Sequence, residues 1–281
     1  MKICLFQSSN GSKSIGVVEG DQVKVLKISS LSEILEADSP VSTASAALSA
    51  ASETVALADI TLLPPIEEQE VWAAGVTYMR SKAARMEESD FSAIAYDKVY
   101  DAARPEIFFK AVADKVVGTA DKVGIRKDAT WNVPEPELAL IFNSRGERVG
   151  ATIGNDMSSR DIEGENLLYL PQAKVYDRSA ALGPWIVLDA SEEAAREWTV
   201  DLKITRGGET GFAGTTAINQ IKRSFDELRD YLFASQTFKK GAILMTGTGV
   251  VPGEDFTLQA GDVVRIEISG IGVLENEVTV V

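Results

Sequence analysis

The strongest constraint on the fold is a hairpin. "ELALIF" (137–142) and "RVGATIGND" (148–156) are apolar runs of strand length, and "NSRGER" (143–148) joins them as a polar turn with Gly146 at its tip. Strands joined by so short a turn are antiparallel neighbours. A turn centred between residues 145 and 146 sets Asp156 opposite Glu135. Side chains at i and i+2 of a strand share one face, about 7 Å apart, so Glu135 and Glu137 stand side by side. Pro134 and Pro136 cannot donate to a ladder, which marks an edge or the start of a strand. Local geometry therefore gathers three carboxylates. Like charges aimed one way repel, and a hard divalent cation among them removes that penalty. The competing reading is that Glu135 and Glu137 are solvated edge residues. Spacing alone leaves both open.

Composition narrows the chemistry. The chain has no histidine and one cysteine, Cys4. That excludes Ser–His and Cys–His catalysis, His-based zinc sites, thiolate clusters and intrachain disulfides. Acid–base work falls to Glu, Asp, Lys, Tyr or water. A metal must take oxygen ligands, which selects Mg²⁺, Mn²⁺ or Ca²⁺. A net charge of −14 argues against a broad basic face, and hence against a nucleic-acid partner. No run of 18 apolar residues exists to span a membrane. "MKICLFQSSN" is too short for a signal peptide and reads as an edge strand. Together these point to a reducing cytoplasm.

Along the chain, strands predominate. "KICLFQ", "SIGVVE" and "VKVLKI" open it, and an Ala/Ser-rich segment reads as a short helix plus loop. Pro64–Pro65 halts regular structure. The expected division is a small N-terminal domain over 1–65 and a catalytic domain over 66–281, together α+β and strand-rich. "EVWAAGV" reads as a buried strand. A charged helix is expected over about 78–102, stopped by Arg104–Pro105. "EIFFKA", "GPWIVL", "WTVDLKITR", "AILMTGTGV" and "DVVRIEIS" continue as strands. "SFDELRDYLFAS" is a helix, with Ser224 and Glu227 placed as a capping box.

"PEPELAL", "IGNDMSSRD", the lysine of "PQAKVYD" and "TGTG", in that order, resemble the fumarylacetoacetate hydrolase family over residues 66 to the C-terminus. The resemblance implies a large mixed-β roll after a small N-terminal domain, usually as a homodimer or homotetramer. It implies that Glu135, Glu137 and Asp156 hold a divalent metal, usually Mg²⁺. The family's lysine falls on Lys174 and its T-G-T threonine on Thr248.

One family motif is broken. Many of the hydrolases carry N-Y-x-x-H-x-x-E at the start of a mobile lid, where His and Glu activate the water that cleaves a C–C bond. Here Tyr78 is kept, but Ser81 and Ala84 stand at those two positions. Losing a positioned base costs about 10²–10⁴-fold, which weighs against C–C hydrolysis. "YDKVYDAARPEIFFKA" and "EGENLLYLPQAKVYDRSAALGP" resemble instead the branch that dehydrates 2-keto-3-deoxy sugar acids, of which 2-keto-3-deoxy-D-arabinonate yields 2,5-dioxopentanoate in pentose catabolism.

On that reading the ligand is a small 2-oxo acid, and no attacking water is needed. Lys174 is expected to handle a proton at C3, and Glu106 to act as acid toward the C4 hydroxyl. Lys110 either reaches the substrate carboxylate or snorkels. Thr248, Tyr78 and Glu163 are further candidate substrate contacts, with Arg85 or Glu87 closing from a lid helix. Arg160 and Asp161 are expected to pair with each other and hold a loop. Two other readings stay open: an acylpyruvate- or fumarylpyruvate-type hydrolase or oxaloacetate decarboxylase on the same metal site, and a non-catalytic 2-oxo-acid binding protein.

Overall fold

The structure is a computed structural model, and it describes residues 1–78 and 99–281. Most of the helix expected over 78–102, with Ser81, Ala84, Arg85 and Glu87, lies outside the described residues. Among the described residues a twelve-stranded mixed sheet dominates. Its path runs Glu53–Ala56, Gln22–Val25, Lys13–Glu19, Lys2–Gln7, Ala180–Leu188, Arg148–Asp156, Pro136–Phe142, Ala242–Met245, Glu70–Gly75, Glu106–Val112. A five-stranded sheet packs on one face of it, in the order Glu209–Ala217, Thr199–Arg206, Val263–Ile268, Gly272–Val280, Lys122–Ile125.

Alternation in the central hairpin divides the core. Leu138, Leu140 and Ile153 join Leu202, Ile204, Ile266 and Leu274 of the five-stranded sheet in one buried cluster. Ala139 and Ile141 face the other way, into a cluster with Ile3, Ile15, Leu31, Ile34 and Met245. The amino-terminal segment therefore shares this core. Its first strand is no edge: Lys2–Gln7 pairs with Lys13–Glu19, Thr61–Leu63 and Ala180–Leu188. Cys4 is buried there, and burial pushes its thiol up to about 12, as suits an inert core residue.

The hairpin pairs as its turn dictates. Pro136 lies opposite Asn155, Glu137 opposite Gly154 and Leu138 opposite Ile153, with one irregularity beside the turn at Ile141/Phe142. The strand Pro136–Phe142 is central, since Ala242–Met245 pairs along its other side. Pro136 is its first residue, where a missing N–H costs the ladder least. The helix Phe225–Phe233 carries half the expected capping box. Ser224 accepts from the Glu227 N–H at 3.1 Å, but the Glu227 carboxylate turns to Arg223 instead of reaching back.

Candidate active site

Register carries the three carboxylates to one place. One residue beyond the ladder, the Asp156 N–H still donates to the Glu135 carbonyl at 2.9 Å. Glu135, Glu137 and Asp156 each offer an oxygen within 4.8 Å of the others. All three are buried, at 3%, 2% and 1% exposure, so the solvated-edge reading is overturned. Glu137 accepts the Gly247 N–H at 2.6 Å. Gly247 has φ +89°, and an added Cβ would meet Thr77 Oγ1 at 2.1 Å. Glycine in "TGTG" thus lets the turn aim a backbone donor at a carboxylate.

Cations answer the carboxylates. The Lys174 ammonium, at the end of the helix Leu170–Lys174, lies 2.6 Å from Glu135 Oε2, 3.1 Å from Asp156 Oδ2 and 2.6 Å from Ser158 Oγ. Arg160 donates to Glu135 Oε1 at 2.6 Å. Lys110 meets Asp156 Oδ1 at 2.5 Å. Glu137 is pushed well above the usual carboxylate range, first by burial and then by Asp156 and Glu135. Burial lowers Lys110, against the pull of Asp156. A divalent ion on three converging oxygen ligands relieves the repulsion that drives Glu137 upward, so the donor set fits Mg²⁺ by its chemistry.

Glu135, Glu137, Asp156, Arg160 and Lys174 line a narrow cleft with Gly75, Phe108, Thr248, Val250 and Val251. Thr248 sits where the sequence places it, its hydroxyl bonded to the Val250 carbonyl at 3.1 Å. Glu106 and the buried Glu163 come together in a second hollow, with Arg104, Leu167 and Leu170. The two hollows touch at Gly75, where an added Cβ would lie 2.0 Å from Glu106 Oε2.

Three further candidates have a defined setting. Tyr78 is not among the residues that line the cleft. It is 1% exposed, bridges Ile221 in extended backbone, and supports Gly249 from behind. Burial raises its hydroxyl, with Glu137 adding to the shift. Lys110 is fully buried beneath Asp156, with its amine already engaged there. Arg160 does not pair with Asp161. Arg160 turns to Glu135, while Asp161 accepts from the Thr130 N–H and hydroxyl. Arg160 and Ser158 are the site groups that sequence reasoning missed. Their signal was alternation: both lie in "NDMSSRD" beside Asp156.

A family model described as fumarylacetoacetate (FAA) hydrolase C-terminal matches residues 70–279. The chain belongs to that family. It is 49% identical over 217 residues to a probable 2-keto-3-deoxyxylonate dehydratase of Haloferax volcanii, covering 77% of this chain and 74% of the relative. It is 42% identical over 221 residues to the 2-dehydro-3-deoxy-D-arabinonate dehydratase of Saccharolobus solfataricus, covering 77% and 74%. Among solved structures it resembles a 2-keto-3-deoxy-D-arabinonate dehydratase complexed with magnesium and 2,5-dioxopentanoate. That match has a TM-score of 0.83 at 32% identity and covers 100% of this chain and 99% of the other.

Proposed function

We infer that this chain is a Mg²⁺-dependent hydro-lyase that converts a 2-keto-3-deoxy pentonic acid, such as 2-keto-3-deoxy-D-arabinonate, to 2,5-dioxopentanoate. The observation that carries the reading is the buried carboxylate triad with the Lys174 amine inside it. Its closest support outside the molecule is the likeness to dehydratases of these acids over three quarters of the chain and to the magnesium complex over its whole length.

Glu135, Glu137 and Asp156 would hold the metal. Bound there, Mg²⁺ supplies Lewis acidity toward a 2-oxo acid, favouring loss of a proton from C3. Lys174 is the residue we assign to that proton, because its amine is the mobile-proton group set among the ligands. Arg160 and Ser158 hold Glu135 and Lys174 in place. Thr248 and the backbone N–H groups of Thr248 and Gly249 are the groups we assign to the substrate carboxylate, since the Gly247 N–H is taken by Glu137. Glu106, beside Gly75 at the mouth of the cleft, is the acid we assign to the departing C4 hydroxyl, with Glu163 as its neighbour. The C3 proton and the C4 hydroxyl leave together as one water. The resulting unsaturated 5-hydroxy acid tautomerises to the aldehyde, so atoms balance without an oxidant.

Cytoplasmic location, a place in pentose catabolism and a homodimeric or homotetrameric assembly belong to the same reading. Among the described residues no helix is long and apolar enough to cross a membrane. The test is substrate choice. Purified protein with Mg²⁺ is offered 2-keto-3-deoxy-D-arabinonate, its L-epimer, six-carbon homologues, oxaloacetate and an acylpyruvate, and products are resolved by mass. Loss of 18 mass units from the pentonic acid supports the dehydratase. Cleavage of the acylpyruvate or decarboxylation of oxaloacetate as the fastest reaction overturns it.

A further inference from the structure

We propose that Lys110 is a positioning residue: a β-bulge delivers its buried ammonium to clamp the metal ligand Asp156 and the segment bearing Lys174 in one arrangement. The inference rests on the proposed metal site but not on the identity of the substrate.

The strand Glu106–Val112 pairs with Glu70–Gly75 in a ladder that slips at one point. Val71 lies opposite Ala111 and Trp72 opposite Phe109, so Lys110 has no partner across the ladder. It is the extra residue of a bulge. Without the bulge, strict alternation would send a residue beside Ala111 to the far face. A bulge re-aims one side chain and is favoured beside functional sites. Here it turns Lys110 under the carboxylates, where it is 0% exposed.

The ammonium donates to the Met157 carbonyl at 3.0 Å and to the Lys174 carbonyl, and it forms an ion pair with Asp156 Oδ1 at 2.5 Å. Each partner belongs to a different working part: a metal ligand, the segment that follows it, and the end of the helix that presents the Lys174 amine. Lys174 itself takes Asp156 Oδ2. The two lysines therefore hold the two oxygens of one carboxylate, and Lys110 fixes the backbone of the other lysine as well. A single side chain sets the relative place of Asp156 and Lys174. Charge-assisted hydrogen bonds of this kind are short and directional, and the partners that orient metal ligands typically matter 10–100-fold to affinity or activity.

Two variants separate this role from bulk support. Lys110→Met removes charge and donors together. Lys110→Gln keeps amide donors for the two carbonyls and removes the charge that faces Asp156. Each is loaded with Mn²⁺ in place of Mg²⁺, and its electron paramagnetic resonance signal is compared with that of the parent protein, without substrate. Turnover of whichever 2-oxo acid the parent accepts is measured separately. The expected result for folded Lys110→Gln is an altered Mn²⁺ signal, with kcat lowered about 10–100-fold and KM little changed. If Lys110→Met does not fold, Lys110→Gln decides alone. An unchanged Mn²⁺ signal together with parent-like kcat in folded Lys110→Gln overturns the proposal. Should the parent protein bind Mn²⁺ but turn over none of the acids, the proposed reaction falls, while the Mn²⁺ comparison still decides the role of Lys110.

Discussion

The two ends of one strand pair differ more than their residue types suggest. At the turn of the central hairpin, Arg145 and Glu147 form an ion pair at 2.7 Å, with side chains 40% and 59% exposed. At the opposite end, Lys174 and Glu135 pair at 2.6 Å with side chains 0% and 4% exposed. Both are cation–carboxylate contacts of similar length, one at each end of the same hairpin. Water and salt screen the first. The second, with Arg160 and Lys110 beside it, sits where breaking a pair leaves an uncompensated charge and costs about 3–5 kcal/mol. Burial, not residue type, makes one end a turn and the other a site.

That contrast can be broken at its strongest point first. Lys174→Met should lower turnover by about 10²–10⁴-fold, as loss of a proton-transfer group does, while the protein still binds Mn²⁺ in a titration. Retained turnover would remove Lys174 from the reaction. Glu137→Gln comes next. It should weaken metal binding by more than the roughly 10–100-fold typical of residues that only orient ligands.

The same variant sharpens the electrostatic side. The folded protein holds Glu137 above its ordinary value of 4.5. As pH rises from that value, the metal-free folded state binds more protons than the unfolded chain, so its stability falls. Metal competes with that proton. The rise in Tm produced by Mg²⁺ should therefore grow from pH 5 to pH 8, and metal-free Glu137→Gln should lose much of the pH slope. A Mg²⁺-induced shift that is flat over this range would contradict the raised Glu137.

The smallest effect belongs to the turn. Glu147→Gln should leave kcat, KM and Tm within the scatter of replicate measurements, although Glu147 sits in the same hairpin as the metal ligands.

The sequence carried the hairpin because its register depends on local facts alone: a short polar turn, Gly146, and two alternating runs. Opposition of Glu135 and Asp156 followed directly. It carried less of what surrounds them. Lys110 was legible as the end of an apolar strand, but the bulge that turns it inward arises from its ladder with Glu70–Gly75, which lies more than 30 residues away. Tyr78 stood in a family motif near a lid, yet its ring is held in the core by contact with the Gly249 segment. Arg160 and Asp161 looked like a pair because they are adjacent and opposite in charge. Adjacent residues do not share a face, and each found a different partner. The strand Glu209–Ala217 was passed over for a simpler reason: most of its residues are exposed, so it has little apolar pattern to read. Lys2–Gln7 looked like an edge because an N-terminal run gives no hint of what pairs beside it.

The most direct test of the metal-dependent dehydration is a chelator experiment. Protein stripped with EDTA and returned to buffer is given 2-keto-3-deoxy-D-arabinonate, and 2,5-dioxopentanoate is followed through a semialdehyde dehydrogenase and NADP⁺. The predicted result is no product without metal and full rate on adding Mg²⁺, with Asp156→Asn silent in both conditions. Product formed at the same rate in stripped protein, or equal rates for Asp156→Asn and the parent, would contradict the assignment of the triad as the metal site of a dehydratase.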